Sequence, residues 1–156
     1  MKSAFHNSSV SEPYFSSLQP AFNAKLTELV DQNHEIRWVA FQHDGSTFQS
    51  GAGSKRWVIV TDHQPYTYGV PAACTAQLNA LHAAGHEIRC VAFTLPMQQT
   101  PSGWSITTDQ TFLNSPSVPA DCVQAMLNAV TAGQELLCVA FTGGPSSGRS
   151  RTGGRS

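Results

Sequence analysis

Hydrophobic and polar positions follow the same order three times along this chain. The sequence His-Glu-Ile-Arg-Trp-Val-Ala-Phe at residues 34–41 returns in altered form at residues 86–93 and again at residues 134–141. Repetition on this scale indicates one supersecondary unit copied in tandem, in which each copy buries its apolar face against its neighbours. The copies cover approximately residues 1–55, 56–102 and 103–142.

Each copy contains a segment whose apolar residues have helical spacing. In the first copy, steps of four, three and one place Phe22, Leu26, Leu29 and Val30 on one helix face. A proline lies near each helix start, where its missing N–H costs nothing. Asparagine or glycine marks each helix end, because these residues accept the left-handed conformation of a cap. The prolines are Pro20, Pro71 and Pro119, and the end residues are Asn33, Gly85 and Gly133.

A strand centred on Val-Ala-Phe follows each predicted helix, at residues 36–42, 88–94 and 136–142. Both faces of this strand are apolar, which predicts that it is covered on two sides. An aromatic-led strand precedes each helix, at residues 57–62 and 104–109 and, by a weaker likeness, at residues 5–10. The pattern predicts an α+β fold of three strand-strand-helix units. Their helices are expected on one side of a mainly antiparallel sheet or of a closed pseudo-threefold barrel.

Chain length and net charge limit the number of domains and the kinds of partner that this protein can have. We expect residues 1–142 to form a single domain and residues 143–156, rich in Gly, Ser and Arg, to form a flexible tail. The net charge of −1 gives no basic surface for nucleic acid and no membrane-steering face. No residues have the spacing of a metal site, a cofactor motif or a nucleophilic triad, so we expect no cofactor, no metal and no enzymatic activity.

The four cysteines occupy only two positions of the repeat. Cys74 and Cys122 lie near the starts of their predicted helices, whereas Cys90 and Cys138 lie in the predicted Val-Ala-Phe strands. Helical and strand rises place the two positions at the same height, which predicts the disulfides Cys74–Cys90 and Cys122–Cys138. Four buried free thiols are the alternative. No signal peptide is visible; disulfides would indicate an extracellular protein, and free thiols a cytoplasmic one.

Aromatic and acidic side chains recur around the second strand. Amphipathic rings beside a carboxylate could form shallow sites for a carbohydrate or a peptide. Alternatively, the rings fill the core and the carboxylates cap turns. The candidate ligand-binding residues are Trp57, Asp62, Tyr66, Trp104 and Asp109.

The repeat resembles tandem repeats of bacterial proteins, on the basis of residues 57–60, 70–71, 78–79 and 90–93 together with Gly85. In those repeats a Trp-Val strand, an aromatic turn, a Pro-led helix and a Val-Ala-Phe strand recur, often beside peptidase or other domains. The resemblance implies an accessory module with no assigned reaction.

Taken together, these patterns predict a non-catalytic module for binding or self-assembly, with a homo-oligomer or another protein as partner. A lectin-like ligand-binding protein is the first alternative, and a small cysteine-dependent enzyme is the second. The second apolar face of the Val-Ala-Phe strands is the expected oligomer interface.

Overall fold

The computed structural model describes residues 20–42, 56–95 and 102–141. Within these ranges the chain forms three helices and two antiparallel three-stranded sheets, which confirms the predicted α+β class. The elements in chain order are α1 Pro20–Asp31, β1 Ile36–Gln42, β2 Arg56–Thr61, β3 Pro65–Tyr68, α2 Ala72–Ala83, β4 Ile88–Phe93, β5 Trp104–Thr108, β6 Phe112–Asn114 and α3 Ala120–Thr131. The predicted strand at residues 5–10 and the tail lie outside the described residues.

The two sheets repeat one another in detail. Their strand orders are β1-β2-β3 and β4-β5-β6. The register shifts between Ile36 and Trp38 in the first sheet, and between Ile88 and Cys90 in the second. Each of these shifts is a β-bulge or irregularity at the same place in the repeat. The structure therefore contains two matching units of one helix and three strands.

Helix ends fall where the sequence predicts them. Asn33, Gly85 and Gly133 have φ angles of 60°, 82° and 77°. Other side chains are strained in this left-handed region, and glycine and asparagine tolerate it best. The chain can therefore leave each helix and turn directly toward the next segment.

Helices cover both faces of the first sheet, so the expectation of helices on one side is wrong. Trp57 and Ile59 point toward α1, where they pack with Phe22 and Leu29. Val58 and Val60 alternate with them along β2 and therefore point to the opposite face. On that face they join one core cluster with three residues of α2, namely Cys74, Leu78 and Leu81.

No closed barrel forms within the described residues. No strand ladder joins the two sheets. They share one core cluster, and the Trp38 indole Nε1–H donates to the Val91 carbonyl at 2.8 Å. Residues 134–141 form no strand ladder with the other described residues, so the third Val-Ala-Phe strand predicted at residues 136–142 is not confirmed. A third complete repeat unit is not confirmed.

Candidate functional site

The predicted aromatic ligand residues belong to the core. Trp57 is 3% exposed and stacks on Tyr68 with the ring centroids 5.6 Å apart. Tyr66 packs against the core cluster that contains Trp57 and Phe22. The Lys25 ammonium lies 4.6 Å from the centroid of the Tyr66 ring. Trp104 belongs to the other core cluster. The rings thus contribute chiefly to packing, and the structure does not bring the two indoles together.

Asp62 and Asp109 tie the strands of each sheet together. The backbone N–H of Glu35 donates to Asp62 Oδ1, and that of Glu87 donates to Asp109 Oδ1, each at 3.0 Å. The backbone N–H of each aspartate in turn donates to the carbonyl of the same glutamate. Each carboxylate therefore has a structural role at the start of a Val-Ala-Phe strand, as in the turn-capping alternative.

All four cysteines are free thiols. Cys74 and Cys90 are buried, and burial raises the pKa of each thiol to about 12. The sulfur of Cys90 lies 3.1 Å from that of Cys138, which belongs to the following copy. The predicted pairings Cys74–Cys90 and Cys122–Cys138 are not formed. The sequence prediction placed Cys74 and Cys90 at the same height along the helix and the strand. That argument did not determine the direction of the Cys90 side chain, which faces Cys138.

The starts of the three Val-Ala-Phe segments converge on a cleft of about 480 Å³. Equivalent charged residues of the first two segments line it, and Arg89 also forms an ion pair with Glu135 of the third. The charges are of both signs, which does not favour one ligand class. Their repetition within apolar strands was a signal that the sequence prediction did not use. The lining residues are Glu35, Ile36, Arg37, Glu87, Ile88, Arg89 and Leu137.

The third copy exposes three large apolar side chains, which we refer to together as the open face: Leu127 and Val130, which lie three residues apart on α3, and Leu137, which follows α3 and lines the cleft. They are 45%, 42% and 65% exposed. At the repeat position of Leu127, the first and second copies have Thr27 and Asn79. At the repeat position of Leu137, they have Arg37 and Arg89.

The repeat fold accepts polar residues at the Leu127 and Leu137 positions, so it does not require leucine there. This departure from the other copies was visible in the sequence, and the sequence prediction missed it.

On the sheet face beneath α3, the central strand β5 contributes polar residues. Asn114 lies against Met126 of α3, with 3.9 Å between Nδ2 and Sδ, and Asn114 pairs with Ser105 across the sheet. Ser105 and Thr107 share this face, and their buried hydroxyls have no hydrogen-bond partner. The corresponding face of the first sheet carries Val58 and Val60. Since unpaired buried polar atoms weaken an interface, we expect α3 to be held less firmly than α2.

Comparison with protein-family models, with curated proteins and with solved structures found no match for this chain. The resemblance to bacterial tandem repeats therefore stays a prediction. The described part of the chain holds no group of three or more His, Cys, Asp or Glu residues that could bind a metal ion. Of its helices, none is long and apolar enough to cross a membrane.

Proposed function

We propose that this protein is a non-catalytic self-assembly module and that its assembly surface is the open face. One observation carries the proposal: the third copy exposes leucine at two positions where the other copies have polar or charged residues. Fully burying an exposed leucine side chain contributes about 1.5–3 kcal/mol. Leu127 and Leu137 are 45% and 65% exposed, so burying the rest of both contributes roughly as much as one such leucine.

The partner in this proposal is a second copy of the same chain. Residues 136–141 have the Val-Ala-Phe sequence that pairs with an aromatic-led strand in both sheets, yet they have no strand partner among the described residues. Residues 5–10 have the corresponding aromatic-led sequence. We infer that residues 5–10 of one protein chain add as a strand to residues 136–141 of a second chain, in the manner of strand addition.

The two alternative functions have less support. A cysteine-dependent enzyme needs a thiolate, whereas burial raises the pKa of the Cys74 and Cys90 thiols to about 12. A lectin-like site needs accessible ring faces, whereas Trp57 and Trp104 are 3% and 7% exposed.

The test is the native mass measured by light scattering after size exclusion over a range of concentrations. We expect the wild-type chain to form an assembly. The variant carrying Leu127→Asn and Leu137→Arg receives the residues of the second copy at both positions, so it should fold. Its dissociation constant should rise at least about tenfold, since tenfold corresponds to about 1.4 kcal/mol.

Leu95→Asn is the matched control, because Leu95 is 44% exposed and lies outside the open face. Its assembly should equal that of the wild type, and circular dichroism should show that all variants are folded. A wild-type monomer at every concentration would contradict the proposal and would favour residues 5–10 of the same chain as the partner strand. Equal assembly of the double variant and the wild type would also contradict it.

A further inference from the structure

The same repeat position joins successive copies through its side chain. In the first copy this position is Trp38, whose indole donates to the carbonyl of Val91 in the second copy at 2.8 Å. In the second copy it is Cys90, whose sulfur lies 3.5 Å from the carbonyl oxygen of Val139 in the third. The backbone N–H of Val139 also donates to that sulfur at 3.4 Å. Each side chain thus reaches the residue that follows its own equivalent in the next copy.

Cys138 is this equivalent residue in the third copy, so the junction between the second and third copies contains two thiols. We propose that Cys90 and Cys138 are a redox pair and that their oxidation to a disulfide fastens residues 134–141 to β4. The proposal rests on the position of the two sulfurs. It does not require the protein to assemble.

The distance between the sulfurs permits the bond with a small movement. They lie 3.1 Å apart, whereas a disulfide bond is about 2.05 Å long. Residues 134–141 form no strand ladder with any other described residue, so within the described ranges Cys138 can approach Cys90 without breaking a ladder hydrogen bond. Neither Cys74 nor Cys122 has another sulfur within hydrogen-bond distance, although all four cysteines lie in the described residues.

Exposure assigns an order to the reaction. Cys138 is exposed and meets the oxidant first, while Cys90 is 1% exposed. The Cys138 thiolate attacks a low-molecular-weight disulfide such as glutathione disulfide, which forms a mixed disulfide and releases one glutathione thiolate. Cys90 then loses its proton as its sulfur attacks the Cys138 sulfur, which releases the second glutathione as a thiolate. The two cysteine protons end on the two glutathione molecules, so two thiols are oxidised and one disulfide is reduced.

The experiment treats the dilute wild-type chain with glutathione disulfide, alkylates the remaining thiols under denaturing conditions and maps the peptides by mass spectrometry. We expect one intramolecular link, between the peptides of Cys90 and Cys138, with Cys74 and Cys122 alkylated. The intact mass should fall by two hydrogens, and dithiothreitol should restore it. The melting temperature should rise by roughly 5–15 °C, because a cross-link stabilises the fold.

Cys122→Ser is the control and should form the same link, whereas Cys138→Ser should form none and should gain no thermal stability from the oxidant. Glutathione retained on Cys138 without a link to Cys90 would overturn the proposal. So would a link between two chains only, or separate alkylation of Cys90 and Cys138 after treatment. Because the link is intramolecular, its failure is distinguishable from a failure of assembly.

Discussion

Thr107 and Thr108 are neighbours in β5, and their hydroxyls have opposite surroundings. The Thr107 hydroxyl is buried without a hydrogen-bond partner. The Thr108 hydroxyl accepts from the backbone N–H groups of Gln110 and Thr111, at 3.2 Å and 3.0 Å. One hydroxyl therefore costs stability through lost hydration, while the other organises the turn that follows the strand.

Valine has nearly the shape of threonine, so it tests this difference directly. Thr107→Val should raise the free energy of unfolding by about 1 kcal/mol, because it removes an unpaired buried hydroxyl and matches Val60 of the first sheet. Thr108→Val should lower it by about 1 kcal/mol, because two N–H groups lose their acceptor. Urea unfolding measures both. Destabilisation by Thr107→Val equal to that by Thr108→Val would contradict the argument.

At the scale of elements, the residues that follow the helices share one left-handed backbone conformation, which glycine adopts in two copies and asparagine in one. Gly85 has a φ of 82°, and a Cβ atom added there would meet nothing within 4 Å. The cost of a side chain at this position is therefore one of backbone conformation alone. Asn33 occupies the equivalent position after α1 with a φ of 60°.

Replacing Gly85 should therefore separate backbone strain from packing. Gly85→Ala should lower the free energy of unfolding by about 1 kcal/mol, because alanine is strained in the left-handed region. Gly85→Asn should cost less than half as much, because asparagine tolerates this region better. Denaturant unfolding of both variants tests the order. A larger loss with asparagine would show that side-chain contacts decide.

Elements with local signals were predictable from the sequence. Prolines, caps and apolar spacing located the three helices, and the repeated Val-Ala-Phe and aromatic-led segments located β1, β2, β4 and β5. Residues 134–141 show where prediction from local sequence ends. A strand needs a hydrogen-bonding partner strand, and the local apolar pattern is the same whether or not that partner is present. The side of the sheet that each helix covers was not predictable either. It depends on β2, which is apolar on both faces and therefore accepts α1 on one face and α2 on the other.

The candidate site was less predictable than the fold. The turn-capping alternative for Asp62 and Asp109 followed from their place after a strand. The contact between Cys90 and Cys138 joins different copies, and reasoning within one copy could not find it. Comparison across the copies, position by position, would have identified Leu127 and Leu137.

At the scale of the whole molecule, buried thiols make the free energy of unfolding fall as the pH rises through the alkaline range. Burial raises the pKa of Cys74 from its ordinary value of 9.0 to about 12. Between these values the folded chain keeps a proton that the unfolded chain releases. The stabilisation is therefore complete below pH 9 and is lost as the pH rises toward 12, at up to about 1.4 kcal/mol per pH unit.

Cys74→Ala should reduce the slope of the unfolding free energy against pH in this range. Leu78→Ala is the control, since Leu78 is equally buried on α2 and has no proton to lose. It should lower stability and leave the slope unchanged. Urea unfolding at several pH values from 9 to 12 provides the comparison, and identical slopes for Cys74→Ala and wild type would refute the assignment.

Cutting the chain between its copies would never release a piece with a complete core. A cut after residue 55 separates β1 from β2, and a cut after residue 102 separates β4 from β5. A cut before α2 divides the cluster that this helix forms with Val58 and Val60. The repeat that is visible in the sequence is therefore not an independent unit of folding, and each segment depends on its neighbours for a complete core.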